Sequence, residues 1–435
     1  MAKFLIRRVI FLLITLFLVS ILVFAISELA PGDIAINTLG NTITPEQAAS
    51  FNAQTGLDQP VVTRYIRWIL GSDWQAENLI GRPVTRIYDV ANDRYSWWAI
   101  AADGTLFQSV TPDGEKILRL ERQPDGSTIK VENSNDQWQP NEAGLQVFWG
   151  IDDGGRAAMW VRGDDQQAWT LTKATWTSAS GAPRDYIPLQ RGLLRGDPGI
   201  SFKDRRPVAE VLVRRLLNTL FLAGIAFIIV MPLALVLGLI AGLNEGRFVD
   251  RFFSVSSLIA TATPEFASGV FLILIFAIWL NWFPGAVVVT NEAGIFENPR
   301  MLILPILTLT LIELGYVLRI TRASMVEVMK TNYIRTAVLK GLPQHRIIFK
   351  HALRNALMAP ITIITLHINW LVGGIVVVEV LFGFPGLGRY VLEAALFKDV
   401  FAIEAAAMVL VVIAVGSQLI ADIIYTYLNP RIRYS

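Results

Sequence analysis

The chain has 435 residues, of which 53% are hydrophobic and 17% charged, with a net charge of +2. A soluble domain carries about a quarter charged residues, so a soluble globular class is excluded, and so small a net charge gives no reason to bind nucleic acid. There is no cysteine, which removes disulfides and thiolate metal sites, and His345, His351 and His367 are too few for a multi-histidine centre.

The mean hydropathy of +0.47 is concentrated in blocks. Six are long enough to supply the about 20 helical residues that cross a hydrocarbon core of about 30 Å. They are Phe4–Ile26, Asn218–Leu243, Ser257–Leu280, Leu302–Ile320, Leu357–Leu381 and Ile403–Leu428. The first follows Lys3, Arg7 and Arg8. Its apolar run exceeds the roughly 7–15 residues of a signal-peptide core, and no clean small-x-small site follows, so it is expected to be retained as a helix of region 1–30.

Residues 31–211 read as one long segment outside the membrane. Within it, about 72–190 turns polar and rich in tryptophan, with Asp-Gly pairs at 103–104, 113–114, 125–126 and 153–154. Asp-Gly suits the left-handed backbone of a two-residue hairpin turn, and short apolar runs such as Trp97-Trp98-Ala99-Ile100 lie between the pairs. The pattern predicts a small inserted β-meander domain, too short for a propeller of at least about four blades. Its tryptophans fit a β core better than a carbohydrate or peptide surface. Asp152 and Asp153 adjoin Gly154-Gly155 and read as a turn, and no catalytic constellation is visible.

The remainder, 212–435, holds five of the six blocks. With the N-terminus inside, the short inner segments carry 15 Lys and Arg, against Arg300, Arg389 and Lys398 in the short outer loops. Lysine and arginine mark the cytoplasmic side, so both termini are expected in the cytoplasm of a multi-pass protein.

The inner loop 321–356 is the most informative stretch. Thr331 or Asn332 is placed to cap a helix, Gly341 suits a left-handed stop, and Pro343 blocks continuation. A two-turn helix is marginal alone and needs a partner surface. Ile334, Ala337, Val338 and Gly341 are expected to form a small-residue face, flanked by Arg335 and Lys340. The basic amphipathic run 344–357 that follows could equally rest on anionic lipid, but that role leaves the isolated capped helix unexplained.

Tyr333-Ile334-Arg335-Thr336-Ala337, then Lys340-Gly341-Leu342, then His351-Ala352-Leu353-Arg354-Asn355-Ala356 together resemble the "EAA" loop of permease subunits of binding-protein-dependent ATP-binding-cassette importers. The dipeptide, oligopeptide and nickel group is the most similar. Where the general pattern has I-x-L-P, this chain has His351-Ala352-Leu353-Arg354. Further similar motifs are Leu29-Ala30-Pro31-Gly32-Asp33, Gly56-Leu57-Asp58-Gln59-Pro60, Arg195-Gly196-Asp197, Val378-Glu379, Phe384-Pro385-Gly386-Leu387-Gly388 and Asn429-Pro430-Arg431. They cover about 1–70 and 191–435, and the 72–190 insertion departs from the family pattern.

The resemblance implies an all-α polytopic permease of the type I importer fold with six transmembrane helices and an inserted extracytoplasmic β-rich domain. It implies a second, homologous permease subunit forming a heterodimer, two ATPase subunits, an extracytoplasmic solute-binding protein, and peptides as the foremost substrate class. The loop residues Tyr333, Ile334, Arg335, Thr336, Ala337, Lys340, Gly341, Leu342, His351, Arg354 and Asn355 would couple to an ATPase. The chain has no Gly-x-x-x-x-Gly-Lys-[Ser/Thr] phosphate loop, so no cofactor is expected on it, and ATP and Mg belong to the partners. Glu313, His367, Asn369 and Asp422 are costly in lipid and face protein or a water path, as pathway residues or as helix–helix hydrogen-bonding groups. An ion-coupled secondary transporter is the first alternative, though no inverted repeat is evident. A membrane sensor with an external β domain is the second, though no cytoplasmic output domain is visible.

Overall fold

The computed structural model describes residues 2–29, 34–40, 42–89, 94–110, 117–132, 138–140, 144, 146–162, 185–288 and 298–428. The turn expected at 113–114 and the motifs at 30–33 and 429–433 lie outside them. In chain order the helices are α1 (Ala2–Leu29), α2 (Ile34–Leu39), α3 (Pro45–Thr55), α4 (Val61–Leu70), α5 (Asp73–Ile80), α6 (Val208–Leu243), α7 (Phe248–Ala262), α8 (Glu265–Leu272), α9 (Ile303–Met329), α10 (Asn332–Leu339), α11 (Met358–Phe382), α12 (Leu387–Phe397) and α13 (Val400–Leu428). Two compact units divide the chain, one built on 213–393 with α1 up to Val19 and α13 from Ala406, the other on 20–212 with 394–405.

In the first unit, α9 packs against α7, α8 and α11. Close approach comes from missing side chains. A Cβ at Gly315 would lie 2.6 Å from Thr261 Cγ2 and 2.7 Å from the Ser257 carbonyl. On α6, Gly238 and Gly242 stand one turn apart against Thr321 and Met325 of α9, where a Cβ would lie 2.6 and 2.8 Å away. Small residues at i and i+4 let two apolar helices meet backbone to backbone, which is how helices associate where lipid removes the hydrophobic drive.

Among the described residues, four helices are long and apolar enough to cross a membrane, at Ile6–Glu28, Val208–Leu243, Pro299–Met329 and Val400–Ile420. The block expected as one span at Ser257–Leu280 is instead broken. α7 and the helix Glu265–Trp279 meet at 109°. Pro264 lacks the N–H that would continue α7, and it disfavours helical backbone at Thr263, which is extended at φ −86° and ψ 128°. Beyond α8 the chain winds as a π-helix, Ile273–Trp279. Pro232, by contrast, is accommodated inside α6.

The second unit holds two antiparallel sheets. Strands β1 (Val84–Asp89), β2 (Arg94–Ile100), β3 (Leu106–Val110), β4 (Leu118–Arg122) and β5 (Thr128–Glu132) run in sequence order. Strands β6 (Gln139–Pro140), β7 (Gln146–Ile151), β8 (Ala157–Arg162) and β9 (Asp185–Ile187) form the other. Trp97, Trp98 and Trp160 are buried. Trp97 packs with Val84, Phe107 and Ile151, and Trp160 with Ile117 and Ala158.

The hairpin turns differ from the two-residue form. Ala101 N–H donates to Thr105 O and Gly104 N–H to Ala101 O, and Gln123–Ser127 and Asp152–Arg156 repeat both bonds. Each is a three-residue loop whose last member, Gly104, Gly126 or Gly155, has φ between +73° and +87°. A type I turn closed by a left-handed glycine needs the extra residue. Asp152 also holds its turn by accepting from Arg156 N and Nε, both at 2.8 Å. Burial pushes the Asp152 carboxyl above its ordinary range, against the pull of Arg156.

Candidate coupling surface

Loop 330–357 joins α9 to α11. Thr331 stands at the start of α10 with extended backbone, but its hydroxyl turns back to the Val328 carbonyl at 2.6 Å instead of capping the new helix. The far end is closed as the sequence leads one to expect. Gly341 takes φ +72° and donates to Val338 O at 2.9 Å, and Leu342 N–H reaches Ala337 O at 3.3 Å. This nested pair satisfies the last carbonyls of a helix. Nothing lies within 4 Å of the place a Cβ would take at Gly341, so backbone conformation and not crowding demands glycine.

The two faces of α10 do different work. Ile334 and Ala337 are buried in a cluster with Met325 of α9 and with Ile347, Ala352 and Ala356 of the segment entering α11, and Leu342, Leu239 and Leu243 pack onto it. Ala352 and Ala356 are thus the small ridge on which α10 sits. Tyr333 Oη accepts from Asn355 Nδ2 at 2.8 Å and donates to the His351 carbonyl at 3.4 Å. The two halves of the loop motif meet there. Outward stand Arg335, Thr336, Lys340 and Gly341, with Arg354 and Asn355 also exposed, while His351 is half-buried. The sequence grouped Val338 with Ile334 and Ala337, but the structure separates them. Ile334 is 2% exposed, whereas Val338 is 57% and Leu339 82% exposed. Leu339, five residues past Ile334, points about 140° away from it at about 100° per residue, whereas Val338, four past it, stays within about 40° of Ile334 and falls at the edge of the stripe that Ile334 and Ala337 bury.

The base of this loop is tied to the α6–α7 turn by contacts that no local pattern reveals. Arg322 donates to Asp250 Oδ1 and Oδ2 at 2.5 and 2.8 Å, and Gly246 N–H to Oδ2 at 2.9 Å. Lys330 pairs with Glu245 at 2.8 Å. The partners are 72 and 85 residues apart in sequence.

Of the polar groups in the apolar blocks, Glu313 is fully buried within α9. The side chains of His367, Asn369 and Asp422 lie outside the described residues. Glu379 of α11 is likewise fully buried and is held by three donors. Its Oε1 accepts from Thr219 Oγ1 at 2.5 Å, and its Oε2 from the N–H groups of Gly388 and Arg389 at 2.7 and 3.2 Å. Thr219 Oγ1 accepts from Leu387 N–H at 2.7 Å, and Asn218 Nδ2 donates to the Pro385 carbonyl at 2.8 Å. Gly386 lies directly on the carboxylate, where a Cβ has no room. The Phe384–Gly388 motif is therefore a turn wrapped around a buried carboxylate at the N-terminus of α12, where exposed N–H groups favour negative charge.

Apolar helices of spanning length define a multi-pass membrane protein, and between α9 and α11 it presents a short helix seated on its own chain. Residues 234–434 match the family described as binding-protein-dependent transport system inner membrane component, and residues 1–79 match the description of that component's N-terminal part. The two sheets lie between these stretches. The oligopeptide transport system permease protein AppB of Bacillus subtilis (strain 168) is 36% identical over 252 residues, 57% of this chain and 80% of that one. A putative peptide transport system permease protein of Brucella abortus (strain 2308) is 35% identical, over 56% and 77%. The glutathione transport system permease protein GsiC of Shigella flexneri serotype 5b is 34% identical, over 55% and 76%. A solved amino acid ABC transporter chain is matched over 50% of this chain and 94% of that one, at 16% identity and a TM-score of 0.38, too weak a likeness to bear on the fold. The chain belongs to the family of binding-protein-dependent transport system inner membrane components.

Proposed function

We propose that this chain is the permease subunit of an ATP-driven importer of peptides, and that the outward face of α10 docks into a cleft of a cytoplasmic ATPase subunit. Peptides are the substrate class because the relatives named above are oligopeptide, peptide and glutathione permeases. The chain spans the membrane six times with both termini in the cytoplasm, pairs with a second homologous permease, and receives solute from an external binding protein. ATP and Mg reside on the ATPase subunits. The sheets between 84 and 187 stand on the outer side as an inserted domain. Glu313, with His367, Asn369 and Asp422, is assigned to the pathway.

The observation that carries this reading is the solvent-facing Val338–Leu339 pair on a helix whose other face is fixed in its own chain. Exposed leucine and valine on so short a helix are costly in water and fit an apolar cleft. Nucleotide must then bind one conformation of the assembled transporter more tightly, since otherwise no population shifts. The test is crosslinking from position 339 in the assembled complex, together with ATP-driven uptake by Leu339→Glu. Adducts to the ATPase and lost uptake in a folded complex are expected. Uptake that persists in the variant overturns the docking of α10, and uptake that survives ATP depletion and collapses with an ion gradient overturns ATP drive in favour of a secondary transporter.

A further inference from the structure

Helix α4 is amphipathic in the wrong sense for water. On a water-facing helix the charged residues point out and the apolar ones in. Here Arg64 turns inward to form an ion pair with Glu28 of α1, with side-chain exposures of 15% and 14%. Tyr65 Oη meets Ser20 Oγ at 2.8 Å, the Tyr65 and Phe24 rings pack edge to face at 5.3 Å, and Trp68 is buried beside them. The outward stripe, at a spacing of four, is Val62, Ile66 and Leu70, which are 69%, 50% and 51% exposed.

The depth of the contact explains the inversion. Arg64, Tyr65 and Trp68 of α4 touch α1 between Ser20 and Glu28, and the apolar span of α1 runs Ile6–Glu28. Eight residues at about 1.5 Å each place Ser20 about 12 Å along the helix from Glu28, against about 15 Å for half a hydrocarbon core. The neighbouring surface of α1 exposes Leu22 and Ile26, which the span turns to lipid. A charged group at such depth is tolerated when it is paired within the protein, as Arg64 and Glu28 are.

We propose that α4 is immersed in the lipid leaflet at the C-terminal end of α1, with Val62, Ile66 and Leu70 against acyl chains and Arg64 and Tyr65 locked to α1. The segment 61–70 is then part of the membrane domain, not of the external region that its place in the sequence suggests.

The chain has no cysteine, so Val62→Cys, Ile66→Cys and Leu70→Cys can each be spin-labelled in nanodiscs. Collision with lipid-soluble oxygen is compared with collision with a water-soluble nickel chelate. Leu22→Cys is the lipid reference, and Ser127→Cys, in an exposed turn, the aqueous one. The expected oxygen-to-nickel ratios at 62, 66 and 70 match that at 22 and exceed that at 127 several-fold. Ratios equal to that at 127 overturn the proposal by placing the helix in water. Labels shielded from both reagents overturn it by showing a covering protein. The Leu22 reference reports separately whether α1 spans the bilayer.

Discussion

Ile334→Ala and Leu339→Ala remove aliphatic side chains five residues apart on α10, and the structure assigns them opposite consequences. Ile334 is 2% exposed and packs with Met325, Ala337 and Ile347. Its truncation leaves a cavity and is expected to cost roughly 2–5 kcal/mol of folding stability. Leu339 is 82% exposed, so its truncation changes the stability of the isolated chain by no more than about 0.5 kcal/mol. If a cleft covers it, full burial of a leucine is worth about 1.5–3 kcal/mol, which at about 1.4 kcal/mol per decade is roughly 10- to 100-fold in affinity. Thermal unfolding of the permease in nanodiscs reads the first quantity, and titration with its ATPase subunit reads the second. Ile334→Ala should lower Tm, whereas Leu339→Ala should raise Kd at unchanged Tm. An unchanged Kd for Leu339→Ala would refute the assignment of the outward face. An unchanged Tm for Ile334→Ala would refute the assignment of the inward one.

Gly341→Ala adds no clash and forces an alanine into φ +72°, so a loss of roughly 1 kcal/mol is expected, seen as faster hydrogen exchange at 338–342. Glu379→Ala leaves the Thr219 hydroxyl and the Gly388 and Arg389 N–H groups without their acceptor. Roughly 3 kcal/mol should be lost, with new proteolysis at 383–390, while Glu379→Gln, which keeps an acceptor, should lose less. Asp399, ahead of α13, accepts from Ser201 Oγ, from Lys203 N–H at 3.2 Å and from Ala402 N–H at 3.4 Å. Burial raises its carboxyl above 3.8, against the lowering effect of those donors. The folded state therefore holds the proton more tightly, so its contribution to stability is full below 3.8 and is lost as pH rises through the folded value. Hydrogen-exchange protection factors at 399–405, corrected for the intrinsic pH dependence of exchange, should fall over that window in the native chain and stay flat in Asp399→Asn.

The sequence carried the features that depend on neighbours in the chain. Apolar blocks mark the long helices, because about 20 lipid-facing residues must be apolar wherever they stand. The Gly341 stop is equally local, since one left-handed residue needs one glycine. Facing was less legible. Val338 and Ile334 are alike in type, and only the positions of Met325 and Ala352 decide which of them is buried. The Asp250–Arg322 and Glu379–Thr219 contacts join residues 72 and 160 positions apart, beyond any periodicity. Pro264 was visible, but whether a proline in an apolar run is absorbed, as Pro232 is, or breaks the helix by 109° depends on what packs around it. The Asp-Gly pairs announced turns without stating that each of the three described loops, ending at Gly104, Gly126 and Gly155, holds one residue more than the shortest hairpin.

The seating of α10 has a mechanical corollary. Ile334 and Ala337 are gripped from both sides, by Met325, Val328 and Met329 of the preceding helix and by Ile347, Ala352 and Ala356 of the segment entering the next. If an ATPase subunit docks at Leu339 as proposed, its thrust would be shared between two levers instead of tugging on a flexible tether. The helix would then act as a ball held in a socket made by its own chain.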